Sequence, residues 1–455
     1  MGEKGGFFLR FFAYLSDLVC GAVPLCLLGV GAYFLVRLGV YPFYAAARCF
    51  FSLFVPKKEA KEALLQHTGS PKQKNVPSPL RAMLLSLGGT VGVGNIAGVS
   101  LALLVGGAGS IFFMWLSALF AMLLKYAEVT LAIDSRAAES HGGGTAEAMK
   151  RAGWRRAGGL FSLLCLAYVL TVGGAVQANA VSECFSDCFS LPPLFSALLL
   201  LVLSLPAAWG GGGRITRVTS YLVPLMCLGY VAATVTVIFC YRENLGAAFL
   251  SILTGAFRPD AAAGGVLGFL FSRAARVGVA RGLMSNEGGC GTAPMAHATS
   301  TESCAARQGL LGMIEVFVDT CLICTLTALA VLCVFPTLPA GLAPMAIVRL
   351  SLEAVFGAAA RPLLSLFLFL FAYATILCEA YYGQVSTAYL SLHRNTRVAF
   401  FALFGGAILF GALGSVHAVF YISDLVLAAM TLLNLAFLVK KADRVVTLSA
   451  ELKRT

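Results

Sequence analysis

Ser285, Asn286 and Glu287 stand directly ahead of Gly288, Gly289 and Gly291, with Pro294 and His297 after them, in a stretch otherwise apolar enough to cross a membrane. A carboxylate at that depth is expensive and marks a functional candidate. A second such place reads SLGGTVGVGNIAGVSLALL, where Gly88, Gly89, Gly92, Gly94 and Gly98 surround Thr90 and Asn95. Each glycine costs about 1 kcal/mol in a helix interior relative to alanine. Both stretches therefore predict a helix that comes apart at mid-depth. Unwound backbone there leaves polar groups unpaired at several kcal/mol each, and it survives only against a ligand or a water-filled cavity. The chemistry this suits is ion gripping. Amides at a half-helix N-terminus, around Val93 and Gly94, suit a carboxylate, while carbonyls around Gly88 and Val91 suit a small hard cation.

Each feature also has a plainer reading. Gly92-x-Gly94 hints at a dinucleotide loop, but the third glycine falls one place late, at Gly98, and no strand precedes it. Gly94-x-x-x-Gly98 also fits a helix-packing face. Glu287 is read as an internal partner for Arg281 or for a buried amide, which leaves Asn286 as the ligand-side residue. His297 is read as structural rather than as a proton carrier. Gln177 and Asn179 lie two apart and cannot share a helix face, so one of them, Gln177, is expected to point at the substrate. Asp319, Thr320 and Glu379 are further buried polar candidates.

The elements that must position these residues are membrane helices. Of 455 residues, 59% are hydrophobic and only 12% charged, with a mean hydropathy of +0.86. The charged share is about half that of soluble domains. Eleven apolar stretches have spanning length: 15–38, 80–105, 109–133, 158–183, 190–209, 217–240, 264–300, 309–336, 362–390, 397–415 and 418–439. The first is read as an anchor because it lacks a small-residue cleavage site. The net charge of +12 does not point to nucleic acid, since Lys and Arg sit between apolar runs. Lys57, Lys58, Arg136, Arg155, Arg156, Lys440 and Lys441 fall on one side of the layout, and few basic residues fall on the other. That asymmetry predicts an outside N-terminus and a cytoplasmic C-terminus. The two interrupted stretches are five spans apart, so the second set of spans enters from the opposite side, as in an inverted repeat with a central site.

Fourteen cysteines lie mostly inside apolar runs and are read as packing residues; Cys321-x-x-Cys324 has no partner pair for a metal, and Cys184 with Cys188 could bridge. No catalytic triad, HExxH or phosphate loop is present, which argues against an enzyme. The polar residues cluster at one depth, which argues against a channel with a continuous polar lining.

GTVGVGNIAGVSLAL, GGAGSIFFMWLSALFAMLLKYAE, VQAN, GVARGLMSNEGGCGTAPMAHA, RQGL, VFVDTCLICTLTAL and TILCEAYYGQ, over roughly residues 80–390, resemble the alanine or glycine:cation symporter family. The resemblance implies an all-α membrane protein of leucine-transporter-like (APC) fold, with two inverted five-helix repeats after one extra N-terminal helix. On this sequence the division would be an extra helix at 1–40, a basic linker at 41–79, repeats at 80–240 and 264–440 joined by 241–263, and a tail at 441–455. It implies import of a small neutral amino acid with sodium, in a bacterial plasma membrane. The substrate carboxylate would meet the amides of Val93 and Gly94 with Asn95 and Gln177 nearby, and its amine would face Ser285, Asn286 and Gly289. A sodium ion would lie between the Gly88 and Val91 carbonyls and the Thr375 hydroxyl.

Four positions depart from the family's pattern. Val93 stands where a threonine is usual, Ala374 precedes Thr375 in place of a second threonine, and Glu315 replaces a glycine. Glu379 replaces a tryptophan that would cap a small side chain. A carboxylate there would attract a cation or hold a proton, and this supports an alternative: the same scaffold with proton-coupled or uncoupled transport of a polar or cationic amino acid or amine. Sodium, or in the alternative a proton, is the expected coupling ion. A small amino acid and the lipid bilayer are the expected partners, and the sequence leaves the oligomeric state open.

Overall fold

The computed structural model describes residues 22–54, 77–136, 143–257, 272–339, 341–414 and 416–454. Lys57 and Lys58 of the basic linker, and residues 258–271, which include the start of the expected 264–300 stretch, lie outside them. The described chain is helical, with no strand among the described residues. Helix α1 (Ala22–Leu38) turns by 86° into α2 (Tyr41–Phe51). The first interrupted span is α3 (Pro79–Thr90) followed by α4 (Gly94–Gly106), bent by 55°. Then come α5 (Gly109–Asp134), the short α6 (Thr145–Arg151), α7 (Arg155–Phe189), α8 (Pro193–Trp209), α9 (Gly212–Cys240) and α10 (Leu245–Ala256). The second interrupted span is α11 (Arg273–Asn286) with α12 (Ala293–His297). It is followed by α13 (Ala305–Val334), α14 (Pro344–Phe356), α15 (Ala360–Leu390), α16 (Arg394–Leu413), α17 (His417–Lys440) and α18 (Ala442–Arg454).

Among the described residues, seven helices are long and apolar enough to cross a membrane, and nine if each bent pair is one span. The expected fifth span is the shorter Pro193–Trp209. Length of this kind follows from unbroken apolar runs, since a spanning helix needs about 20 residues to cross the hydrocarbon. Leu225, Leu228 and Phe239 on α9 remain exposed, as lipid-facing side chains must.

Both interrupted spans start the same way. Ser78 accepts a hydrogen bond from the Arg81 amide, and Ser272 accepts one from the Ala275 amide, so each first half-helix is capped by a serine hydroxyl. One end of the bundle is tied by charges. Arg444 of α18 pairs with Asp134 of α5 at 2.5 Å, and Arg37 of α1 pairs with Asp443. Gln308 at the start of α13 donates to the Pro79 carbonyl at 3.3 Å. At the opposite end, Asn244 donates to the Cys333 carbonyl at 2.7 Å, holding α10 against the close of α13.

Three helices widen into π-helix: α4 over Gly94–Gly98 and Ala102–Gly106, α7 over Val169–Val176 and α13 over Phe317–Cys324. Such turns are rare and concentrate at functional sites, because the extra residue per turn re-aims the side chains that follow. Asn95 lies in the π-helix of α4, Gln177 follows that of α7 and Asp319 lies in that of α13.

Candidate functional site

The first break is narrower than its glycine content suggests. Gly88 and Gly89 remain helical, and only Val91, Gly92 and Val93 separate α3 from α4. Val91 is extended, with φ −76° and ψ 91°. The glycines serve close packing as well as the break. A Cβ on Gly89 would lie 2.9 Å from Cys378 Sγ, and one on Gly92 would lie 2.7 Å from Thr375 Oγ1. Helix α15 is thus pressed onto α3 along the face holding Thr375 and Cys378.

The Asn95 side chain turns back to accept a hydrogen bond from the Gly92 amide at 2.9 Å. Its own amide donates to Asp319 Oδ1 at 2.7 Å and to Ser285 Oγ at 3.1 Å. Ser285 donates to Asp319 Oδ2 at 2.7 Å, and Thr320 donates to the same oxygen at 2.8 Å. Asn286 donates to the Thr320 hydroxyl at 3.2 Å. One buried carboxylate therefore collects donors from both interrupted spans. Asn95, Ser285 and Asn286, expected beside a substrate, are bonded to protein; the structure brings them together around Asp319 and Thr320.

Thr375 donates to the Gly88 carbonyl at 3.2 Å and lies 3.4 Å from the carbonyl of Gly89. Gln177 stands across from it, its Oε1 3.7 Å from where a Gly92 Cβ would be. That oxygen is buried without a hydrogen-bond partner among the described residues. Gly94 is exposed and a Cβ there would meet nothing within 4 Å. Val93 is buried beside it, and Val91 is fully buried. Hydroxyl and carbonyl oxygens are the donor set a hard cation takes. Glu379 lies one helical turn further along α15, facing Gly173 of α7. It is 0% exposed, and neither of its carboxylate oxygens has a partner among the described residues.

The second break is differently built. Glu287 takes the left-handed backbone region at φ 50°, and Gly289 and Gly291 have φ 91° and 82°. Asn286 Oδ1 accepts from the Gly288 amide at 2.9 Å. Glu287 accepts from Tyr168 at 2.5 Å and from Thr292 at 2.6 Å. The expected Arg281 partner is corrected here: that guanidinium reaches Met284 Sδ, while two hydroxyl donors serve the carboxylate. Gly289 is also set apart from the first break. Its neighbours are Leu27, Leu124 and Leu435, and its carbonyl accepts from Asn434 at 2.9 Å. Glu128 accepts from the Gly291 amide at 3.1 Å and from Asn434 at 2.6 Å.

Beside it, Lys125 and Glu315 pair at 3.2 Å, both 0% exposed. Glu315 also lies 3.0 Å from His297 Nε2, and Gln308 lies 2.8 Å from His297 Nδ1. Glu315, which departs from the family's usual glycine, therefore has its countercharge on α5. Sequence reasoning passed over Lys125, Glu128, Tyr168 and Asn434. Lys125 and Glu128, three apart inside an apolar run, did carry a signal: ionisable side chains in a span face the bundle interior and pair there. Cys184 and Cys188 stand as separate thiols, and Cys324 joins the Asp319 cluster, 3.4 Å from the Asn95 amide.

A profile of the sodium:alanine symporter family matches residues 7–453. The chain belongs to that family. The sodium/alanine symporter AgcS of Methanococcus maripaludis is 31% identical over 423 residues, covering 90% of this chain and 89% of its own. The amino-acid carrier protein AlsT of Bacillus subtilis is 29% identical over 92% of this chain and 87% of its own. Among solved structures, MhsT in complex with L-phenylalanine superposes with a TM-score of 0.53 at 14% identity, over 83% of this chain and 99% of that one. The fold is leucine-transporter-like. The protein is a multi-pass membrane transporter of the amino-acid symport class and not an enzyme.

Proposed function

We propose that this transporter imports a small neutral amino acid of the alanine or glycine type together with sodium, by alternating access around the first break. The observation that carries the reading is the Thr375 hydroxyl on the Gly88 carbonyl, 3.2 Å away, at the level where the backbone leaves its helix. There the Gly88 and Val91 carbonyls and Thr375 would hold the sodium ion. The Val93 and Gly94 amides, at the exposed end of the break, would meet the substrate carboxylate. Gln177 supplies an acceptor on the facing helix.

Asn95, Ser285 and Asn286 then act as a scaffold. They tie the two interrupted spans to Asp319 and Thr320 of α13, so that movement of one is felt by the other. The two-repeat division, the outside N-terminus and the placement in a bacterial plasma membrane belong to the same proposal, the orientation supported by the basic residues at the Arg136, Arg155 and Lys440 end. Uptake of radiolabelled alanine into proteoliposomes tests it. Accumulation should follow an inward sodium gradient and stop when the gradient is removed. Accumulation indifferent to sodium would remove the ion from the reading.

A further inference from the structure

Resting on that reading of the site, we propose that Glu379 and Gln177 together form the receptor for an ammonium group on the transported solute. Two placements define it. Gly92 faces both Thr375 and Gln177, and Gly173 faces Glu379. Gln177 is one turn beyond Gly173 on α7, and Thr375 is one turn before Glu379 on α15. The two helices therefore run antiparallel along a seam, with Glu379 about 5–6 Å from the level of the sodium ligands. A side chain at position 173 would collide with the stem of Glu379, since its Cβ would lie 2.5 Å from Glu379 Cβ and 2.7 Å from Cγ. Glycine there is what lets Glu379 occupy the seam.

What is missing from the protein side is donors. Glu379 Oε1 and Oε2 and Gln177 Oε1 are buried acceptors without a partner among the described residues. Buried polar atoms in native proteins are nearly always bonded, so three orphan acceptors in one seam call for an external donor. The charge points the same way. Lys125, the buried cation of α5, is engaged with Glu315. Glu287 already accepts from Tyr168 and Thr292, so its need is met and that of Glu379 is not.

An ammonium is the donor that also compensates a carboxylate charge at so buried a position, whereas an anion would be repelled. A bare hard cation asks for a shell of several converging oxygens. An ammonium carries three divergent N–H donors and one positive charge, which matches a carboxylate and an amide oxygen one turn apart. The group could be the α-ammonium of an amino acid or the side-chain ammonium of a basic one; both present the same chemistry to Glu379.

Thermal unfolding of the purified full chain, titrated with alanine, lysine, ethylammonium or propionate, tests the assignment. Wild type should be stabilised by the ammonium-bearing ligands and not by propionate. Glu379→Gln, which keeps the shape and removes the charge, should weaken those ligands by about 30-fold, as expected for loss of one charge-assisted contact. Equal losses for alanine and lysine identify the α-ammonium, and a loss confined to lysine identifies the side chain. Glu379→Asp, which keeps the charge, should bind more tightly than Glu379→Gln, and Gln177→Leu provides a second variant. The inference falls if Glu379→Gln binds alanine, lysine and ethylammonium as wild type does, or if wild type binds none of them. Sodium-driven alanine uptake by wild type, measured alongside, judges the transport reading separately. Failure there with Glu379-dependent ammonium binding intact would sink the coupling and leave the receptor standing.

Discussion

The two broken spans start alike, with a serine cap and a half-helix, yet they end in opposite conditions. At the first, Gly94 is exposed, and the Gln177 and Glu379 acceptors on the facing helices have no hydrogen-bond partner among the described residues. At the second, Ser285 to His297 are all buried, and Asn286, Glu287 and the Gly289 and Gly291 backbone have protein partners. An interruption at mid-membrane is therefore not by itself a binding site. Its backbone and side chains must be satisfied, and whether protein or ligand does so separates scaffold from site. The more polar stretch, with its Ser-Asn-Glu run, is the one whose groups are spent internally.

That contrast can be broken by experiment. If the second break is scaffold, its substitutions should cost folding, while those at the first should cost ligand. The largest effect is expected for Lys125→Met. It strands Glu315 in a fully buried setting and should cost about 3–5 kcal/mol, visible as loss of folded protein on size-exclusion chromatography and in thermal unfolding. A stable, well-folded variant would show that the pair does not hold this region. Glu287→Gln comes next. It weakens two short hydroxyl bonds at a strained residue and should lower stability by about 2 kcal/mol in the same melts. An unchanged melting temperature would move Glu287 out of the scaffold.

At the first break, Thr375→Ala should raise the sodium concentration for half-maximal uptake by about tenfold, close to 1.4 kcal/mol, with little change in the melt. A large fall in stability with unaltered sodium dependence would make Thr375 a packing residue instead. The smallest effect is set for Gln177→Leu, which removes an oxygen bonded to no described group. Stability should hold or rise, and substrate affinity should drop by about fivefold, about 1 kcal/mol, since an ammonium that loses this acceptor keeps its contact to Glu379. Loss of stability without loss of affinity would erase the difference between the two regions.

Much of the frame was legible in the chain. Apolar runs announced α5, α7, α9, α13, α15, α16 and α17 because lipid admits no other use for them. Glycine clusters located both interruptions, and Thr375 and Gly88 were paired in advance only through the family resemblance. The partners of Asn95 were not legible. Asp319 and Ser285 stand 224 and 190 positions away, and no local pattern links such distances. The Arg281 assignment for Glu287 failed for a related reason. Sequence proximity favoured the cation six positions back, whereas packing brought α7 and its Tyr168 hydroxyl against the break.

The sequence by itself determined that this chain lives in a membrane, where its helices lie, and at which two places they cannot stay wound. Those outcomes follow from local composition, since burial of each run and the helical cost of each glycine are properties of a few neighbouring residues. Only the tertiary structure decided which interruption spends its own side chains on protein donors and acceptors, and which has the Gln177 and Glu379 oxygens unpaired among the described residues across from it. That depends on which distant helix supplies a donor to each polar group, and the supply is set by how α7, α13 and α15 pack around the two breaks.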